Sequence, residues 1–253
     1  MKFLCDDVSE IYADETFKYC PKFFTQLYTI HRFKNGHYLQ LVYCLLPNKS
    51  EQYYSTMIDL LKGCISEQGL SFQPEKINLN FEISAHSAFR ASFPNATLLC
   101  YRFHLGQAWY RNIQKLGSSE YKDTDSKIGK WLSYFFGLSF LNPTEVEDCF
   151  AEDLMALAPQ NDRCSAFADY VLENYISSGA KFPPILWSEE PLDRRHTTNG
   201  CESFHCHFNE QFYTPHPSIF SFLDVITKHQ CIMYIKLRNA DSVNLMTTTE
   251  KKN

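Results

Sequence analysis

Up to Pro47 the chain reads with the period of β-strands, and beyond it the apolar positions recur at helical spacing. Residues from about 9 to 17 lead into Phe23-Phe24-Thr25-Gln26-Leu27-Tyr28-Thr29-Ile30-His31, a run of aromatic and β-branched types that predicts a strand. Asn35-Gly36 follows, a strong hairpin signal because both residues tolerate positive φ, and Tyr38 to Leu46 is the return strand. The chain therefore opens as a three-stranded antiparallel meander. After Pro47, Tyr53, Met57, Leu60, Leu61 and Cys64 share one face of an amphipathic helix. Lys76 to Asn80 is a short strand, Phe81, Ala85, Ala88 and Phe89 keep helical spacing, and Ala96 to Tyr101 is another strand. Leu105, Ala108, Trp109, Ile113 and Leu116 mark a third helix with Gly117 as its C-terminal cap. The order β-β-β-α-β-α-β-α predicts an α/β fold with a mixed sheet and helical crossovers.

From about 118 to 190 no strand pattern occurs. Lys130 to Leu141 and Arg163 to Ile176 read as helices, and Pro143 stands at a good first helical position with Glu145 and Glu147 behind it. Pro183-Pro184 and Pro191 mark a loop, Thr197-Thr198-Asn199 offers capping oxygens for a helix carrying Glu202, and a last helix runs from about Ser218 to Arg238. The predicted organisation is a core over 8–117, an all-helical insertion over 118–190, C-terminal helices over 191–238 that complete the core, and a frayed tail over 239–253.

Composition narrows the classes. In 253 residues, hydrophobic types make up 44% and charged types 21%, which excludes a disordered chain and supports a sizeable core. A net charge of −5 argues against a polybasic nucleic-acid coat, though not against a local basic groove. The ten cysteines form no Cys-x-x-Cys pair, so they are expected to be reduced, mostly buried small hydrophobes. Asp6 and Asp7 interrupt any signal peptide, and the apolar stretch around Tyr134 to Leu138 is far too short for a membrane span. A soluble intracellular protein is expected.

The strand order is that of the ribonuclease H type. In such a fold Asp14 on the first strand, Asn80 at the end of the fourth and Glu202 on the helix after the insertion would converge at the centre of the sheet. Oxygen ligands there suit two Mg²⁺ or Mn²⁺ ions roughly 3.5–4 Å apart. Strand-end polar residues with no chemistry are the alternative reading of the spacing alone. The wording of the motifs adds to it. Asp14-Glu15-Thr16-Phe17-Lys18, followed by Pro21 and Phe24 to His31, resembles the first motif of the Mutator-like element (MULE) transposase domain, Asp-Gly-Thr-Phe-Lys. The similarity continues through Leu41 to Pro47, Asn80-Phe81-Glu82 (Asp-Phe-Glu in the family), Phe103 to Trp109, and Thr197 to His205 (Thr-Asn-Asn-x-x-Glu-x-x-His), spanning roughly 10 to 238.

The resemblance implies a DDE-type core: DNA strand cleavage and transfer in the nucleus, with Asp14 the ligand shared by two Mg²⁺ or Mn²⁺ ions, Asn80 at the second acid position and Glu202 the third acid. Asn80 is the decisive departure, since an amide brings no charge to offset two dications. Glu82 would need a backbone shift to replace it, and Glu15 stands where the family has glycine. Tyr101 replaces the cysteine of the family's Cys-x-x-His, leaving His104 as a partly buried histidine. No upstream zinc-finger module is expected, so DNA would be held weakly; a homo-oligomer is possible. The alternative function is a domesticated, non-enzymatic DNA- or protein-binding remnant. Cys201, His205, Cys206 and His207 offer a zinc alternative, and Arg194-Arg195-His196 a phosphate contact or a solvated loop.

Overall fold

The computed structural model describes residues 2–5, 9–34, 37–117, 119–123, 125–189, 205 and 207–250. Its sheet is built from β1 (Glu10–Thr16), β2 (Gln26–Lys34), β3 (His37–Leu46), β4 (Lys76–Leu79) and β5 (Thr97–Cys100), in the order β3-β2-β1-β4-β5. β1 and β2 run antiparallel with Asp14 opposite Thr29, β2 and β3 run antiparallel, and β1 and β4 run parallel with Tyr12 opposite Asn78. The expected α/β class and antiparallel opening are thus present. The Asn35-Gly36 turn lies outside the described residues. A β-bulge interrupts the β2–β3 ladder between Ile30 and His31, the register passing from Ile30 opposite Val42 to His31 opposite Gln40.

The chain divides into two compact units, one made of Met1–Thr97 with Asn199–Asn253, the other of Leu98–Thr198. In the first, β2 is buried from Gln26 through His31 because both faces of the sheet are covered. A short helix, α1 (Lys2–Cys5), precedes the sheet, one face of which meets α2 (Glu51–Ser66) and α3 (Ile83–Ser92). Tyr28 packs edge-on against Tyr54 at 5.3 Å, and the Tyr54 hydroxyl accepts a 2.9 Å hydrogen bond from Gln26 Nε2. That anchor sets the rotation of α2. Its buried stripe is Tyr54, Met57, Ile58, Leu61 and Ile65, whereas Tyr53, Leu60 and Cys64, expected inside, are exposed. Two neighbouring stripes of this helix carry apolar residues, and periodicity alone does not choose between them.

The other face is covered by Phe208, Phe212, Phe222 and Val225, which enclose Leu27 and Cys20 together with the partly buried Tyr43 and Leu45. The C-terminal helix, Ile219–Glu250, supplies Phe222 and Val225 and then Met233 and Leu237 against Leu39. It runs well past Arg238, where the sequence suggests fraying.

The second unit is helical after β5. It contains α4 (Arg102–Lys115), α5 (Lys127–Gly137), α6 (Val146–Asp148) continuing as a π-helical turn over Cys149–Leu154, and α7 (Asp162–Val171) continuing likewise over Leu172–Ile176. Gly117 has φ +72°, the left-handed cap expected after α4. Asn161 caps α7, its Oδ1 accepting from the N–H groups of Arg163 and Cys164. Pro143 precedes α6 by a turn instead of opening it, and α4 groups with the insertion, so the unit boundary falls at Thr97 and not near 117. The reason is Trp109 on α4, fully buried against Phe135, Phe136, Tyr175 and Trp187.

Fewer of the described cysteines are buried than expected: Cys20, Cys100 and Cys164 are inside, Cys64 and Cys231 outside. Burial pushes the Cys20 thiol up to about 12, so it is an inert apolar filler. Among the described residues no helix is long and apolar enough to cross a membrane.

Candidate functional site

Strand alternation puts Tyr12 and Asp14 on the same face of β1, with His31 and Thr29 opposite them on β2. Asp14 is buried, only 2% exposed. Its Oδ1 accepts from the Glu15 N–H at 2.9 Å, and its Oδ2 lies 3.4 Å from His205 Nε2. Thr29 Oγ1 donates to the Asp14 carbonyl at 3.1 Å and sits 2.7 Å from His31 Nε2. A hydroxyl has one proton, and here it serves the carbonyl, so His31 donates from Nε2 to the threonine oxygen. A single chain of donors thus runs His31 → Thr29 → Asp14. The His205 ring stands edge-on to His31 at 6.1 Å, with its Nε2 3.5 Å from Thr29 Oγ1.

The parallel pairing of β1 with β4 ends at Tyr12 with Asn78, and Asp14 and Asn80 each lie two residues beyond that last pair, Asn80 just past the end of β4. Counted by strand alternation from that pair, the two positions have the same parity. Asn80 is buried, and its Oδ1 has no hydrogen-bond partner among the described residues. Its backbone is fixed instead: the Asn80 carbonyl accepts a 2.8 Å hydrogen bond from Nε2 of buried His86 on α3. Burial lowers the affinity of His86 for a second proton.

Two of the three predicted site residues are thus buried near the C-terminal ends of neighbouring parallel strands. Glu202, the third, lies outside the described residues, as do Cys201, Cys206 and the Arg194-Arg195-His196 cluster. Glu82 occupies the N-cap position of α3, and its Oε2 is ion-paired 3.4 Å from Lys49 Nζ. Glu15, expected to add bulk and charge beside Asp14, alternates to the opposite face. There it joins burial, the larger cause, in raising the Tyr28 and Tyr54 hydroxyl pKa values. His207 is exposed and 3.5 Å from Glu210 Oε2, while His205 is buried against Asp14, so the two histidines of the zinc alternative diverge. Among the described residues no group of three His, Cys, Asp or Glu side chains is placed to hold a metal ion. His104 is partly buried between Tyr101 and Phe103, as expected.

The chain matches no model of a known protein family, and no curated protein matches it significantly. The geometry has to speak for itself. It consists of one buried carboxylate, one buried amide oxygen without a donor, and two imidazoles tied to the carboxylate's strand. Sequence reasoning missed His31, Thr29 and His86. The available signal for the first two was parity, since residues 27, 29 and 31 share one face of β2, but a histidine in a strand of apolar neighbours carries no mark of its partner.

His31 is fully buried, and desolvation, then the neighbouring His205, pushes its pKa down to about 3 despite the opposing pull of Asp14. The imidazole is neutral in the fold and takes up a proton on unfolding below about 6.5. Its contribution to stability is therefore complete above that pH and is lost as pH falls towards 3. Between pH 7.5 and 5.0 the loss from this group is about 2 kcal/mol. Urea unfolding at the two pH values should show His31→Gln losing about that much less stability than the unmodified chain; equal losses would mean the ring is hydrated.

Proposed function

We propose that this chain is a DDE-type transposase core of the Mutator-like kind, ribonuclease H-like in fold, acting on DNA in the nucleus and impaired in catalysis by Asn80. The observation that carries the reading is the parallel pairing of β1 with β4, since buried Asp14 and buried Asn80 each lie two residues beyond its last pair, Tyr12 with Asn78. The strand order β3-β2-β1-β4-β5, with its antiparallel first three strands, supports the fold assignment. Asp14 and the Asn80 Oδ1, which has no hydrogen-bond partner among the described residues, are both buried oxygen donors, the type that Mg²⁺ or Mn²⁺ selects. Such ions supply an activated attacking oxygen and a stabilised leaving oxygen on the phosphodiester.

The chain's own residues set the limits. Asp14 brings one negative charge and is held in place by the Glu15 N–H; Asn80 brings a dipole where a second charge belongs. At an effective ε of ~20, one charge pair at 4 Å is worth about 4 kcal/mol, and each 1.36 kcal/mol is a factor of ten in rate. Losing it slows cleavage by roughly a thousandfold. That deficit favours, as the second reading, a non-enzymatic DNA- or protein-binding remnant.

Supercoiled-plasmid nicking in Mg²⁺ or Mn²⁺ tests the proposal. The unmodified chain should nick at background rate, Asn80→Asp should nick, and adding Asp14→Ala should abolish it. Nicking by the unmodified chain that survives Asp14→Ala would overturn the assignment of the site.

A further inference from the structure

We infer that the C-terminal helix is the interface of a homodimer, in which two copies of it pack antiparallel about a two-fold axis at Thr227. The inference is independent of any chemistry at Asp14. The helix Ile219–Glu250 already buries one stripe, Phe222, Val225, Met233 and Leu237, against the sheet. A second apolar stripe on another side of it is open to solvent: Phe220 (81% exposed), Leu223 (52%), Cys231 and Tyr234 (55%), with Ile235 (61%) at its edge. A helix apolar on more than one side is a helix meant for more than one neighbour.

Spacing identifies the second neighbour. Along the stripe Phe220, Leu223, Thr227, Cys231 and Tyr234 follow one another at steps of three, four, four and three residues, which reads the same from either end. Antiparallel pairing about Thr227 therefore sets Phe220 against Tyr234 of the second copy, Leu223 against Cys231, and Thr227 against itself. This is the self-complementarity an isologous contact requires. An unrelated partner has no need of a stripe that is symmetric about its own midpoint.

The threonine at the centre of the stripe is already satisfied. Thr227 Oγ1 donates to the Leu223 carbonyl at 2.8 Å, so its hydroxyl enters the interface with its bond made. Asp224, the acid beside the stripe, is ion-paired within the helix, 2.7 Å from Lys228 Nζ. The contact thus buries no unpaired charge. At about 150–250 Å² for a whole aromatic side chain, and less for the aliphatic ones, the exposed parts of the stripe amount to on the order of 600 Å² per copy. The pair then buries on the order of 1,200 Å², at the lower edge of specific interfaces, which suits a reversible dimer of micromolar strength.

Sedimentation of the full chain under reducing conditions, over about 1–100 µM, should show a concentration-dependent step from monomer to twice the monomer mass. Leu223→Glu and Tyr234→Glu, both at solvent-exposed positions, should each raise the dissociation constant by at least about tenfold with the circular dichroism spectrum unchanged. Register is tested separately: Thr227→Cys should form a covalent dimer on mild oxidation well beyond that formed by the native cysteines. A monomer throughout the range, an assembly larger than a dimer, a dimer indifferent to both Glu substitutions, or a Thr227→Cys variant that cross-links no better than the unmodified chain would each overturn the inference.

Discussion

Asn80→Asp is expected to destabilise the metal-free protein and to make its melting temperature respond to divalent cations. In the proposed site residue 80 stands beside Asp14, about 5 Å away by ordinary strand spacing, and both side chains are buried. Two carboxylates at that distance repel by about 3 kcal/mol at an effective ε of ~20. One of them escapes the repulsion by keeping a proton, so its pKa rises in the fold. A carboxyl raised in this way costs stability progressively as pH rises through its unfolded value, near 4, towards the folded one, and the full cost is present at neutral pH. For a chain of this length 3 kcal/mol corresponds to a drop of roughly 6–12 °C. Mg²⁺ or Mn²⁺ neutralises the pair and restores the lost stability by mass action. Thermal melts in EDTA and in about 5 mM of either cation measure both parts. The unmodified chain, with a single charge in that pair, should move far less between the two conditions. A melting temperature untouched by the substitution and by the metal would show that residue 80 does not face Asp14.

The second large effect is expected in the helical unit, at Trp109. The ring is fully buried, with Phe136, Tyr175 and Trp187 centred 5.7–5.8 Å away and Phe135 edge-on at 6.5 Å. Trp109→Ala removes the hub of these contacts, leaves a cavity, and should cost about 3–5 kcal/mol. Trp109→Phe should cost much less than that, for a reason specific to this indole. Trp131 Nε1 donates to the Leu154 carbonyl at 2.7 Å and Trp187 Nε1 to the Phe182 carbonyl at 2.8 Å, but the Trp109 N–H has no acceptor among the described residues. Phenylalanine deletes the unmade hydrogen bond along with the lost volume, and the two effects oppose each other. Urea midpoints of the three proteins decide it: equal losses for Phe and Ala would mean that the N–H is bonded after all.

Much of this fold was legible in the sequence because its signals are local. The aromatic and β-branched run before the bulge, the change of period after Pro47, and Gly117 as a left-handed cap each depend on a handful of adjacent residues, and β1 to β5 and α2 to α4 lie where those signals put them. What was not legible depends on partners distant in the chain. The rotation of α2 is decided by a hydrogen bond from Gln26 to Tyr54, and the grouping of α4 with the insertion by rings from residue 135 to 187 against Trp109. The candidate site divides along the same line. Asp14 and Asn80 were accessible through a motif and a strand order. The buried imidazoles of His31 and His205 reach Asp14 through Thr29 and through a separation of almost two hundred residues, which no spacing rule reports.

The bulge between Ile30 and His31 has a mechanical consequence. It lets one hairpin hold two phases, one matched to the packed half at Leu27–Ile30, the other to the outer half from His31 to Lys34. Distortion introduced at the outer end, by lengthening the connection from Lys34 to His37, meets His31 and this joint before it meets the packed half. A tag or label inserted at the tip of the hairpin is thus expected to be felt at His31 before it is felt at Thr29 and Asp14, which lie on the far side of the joint.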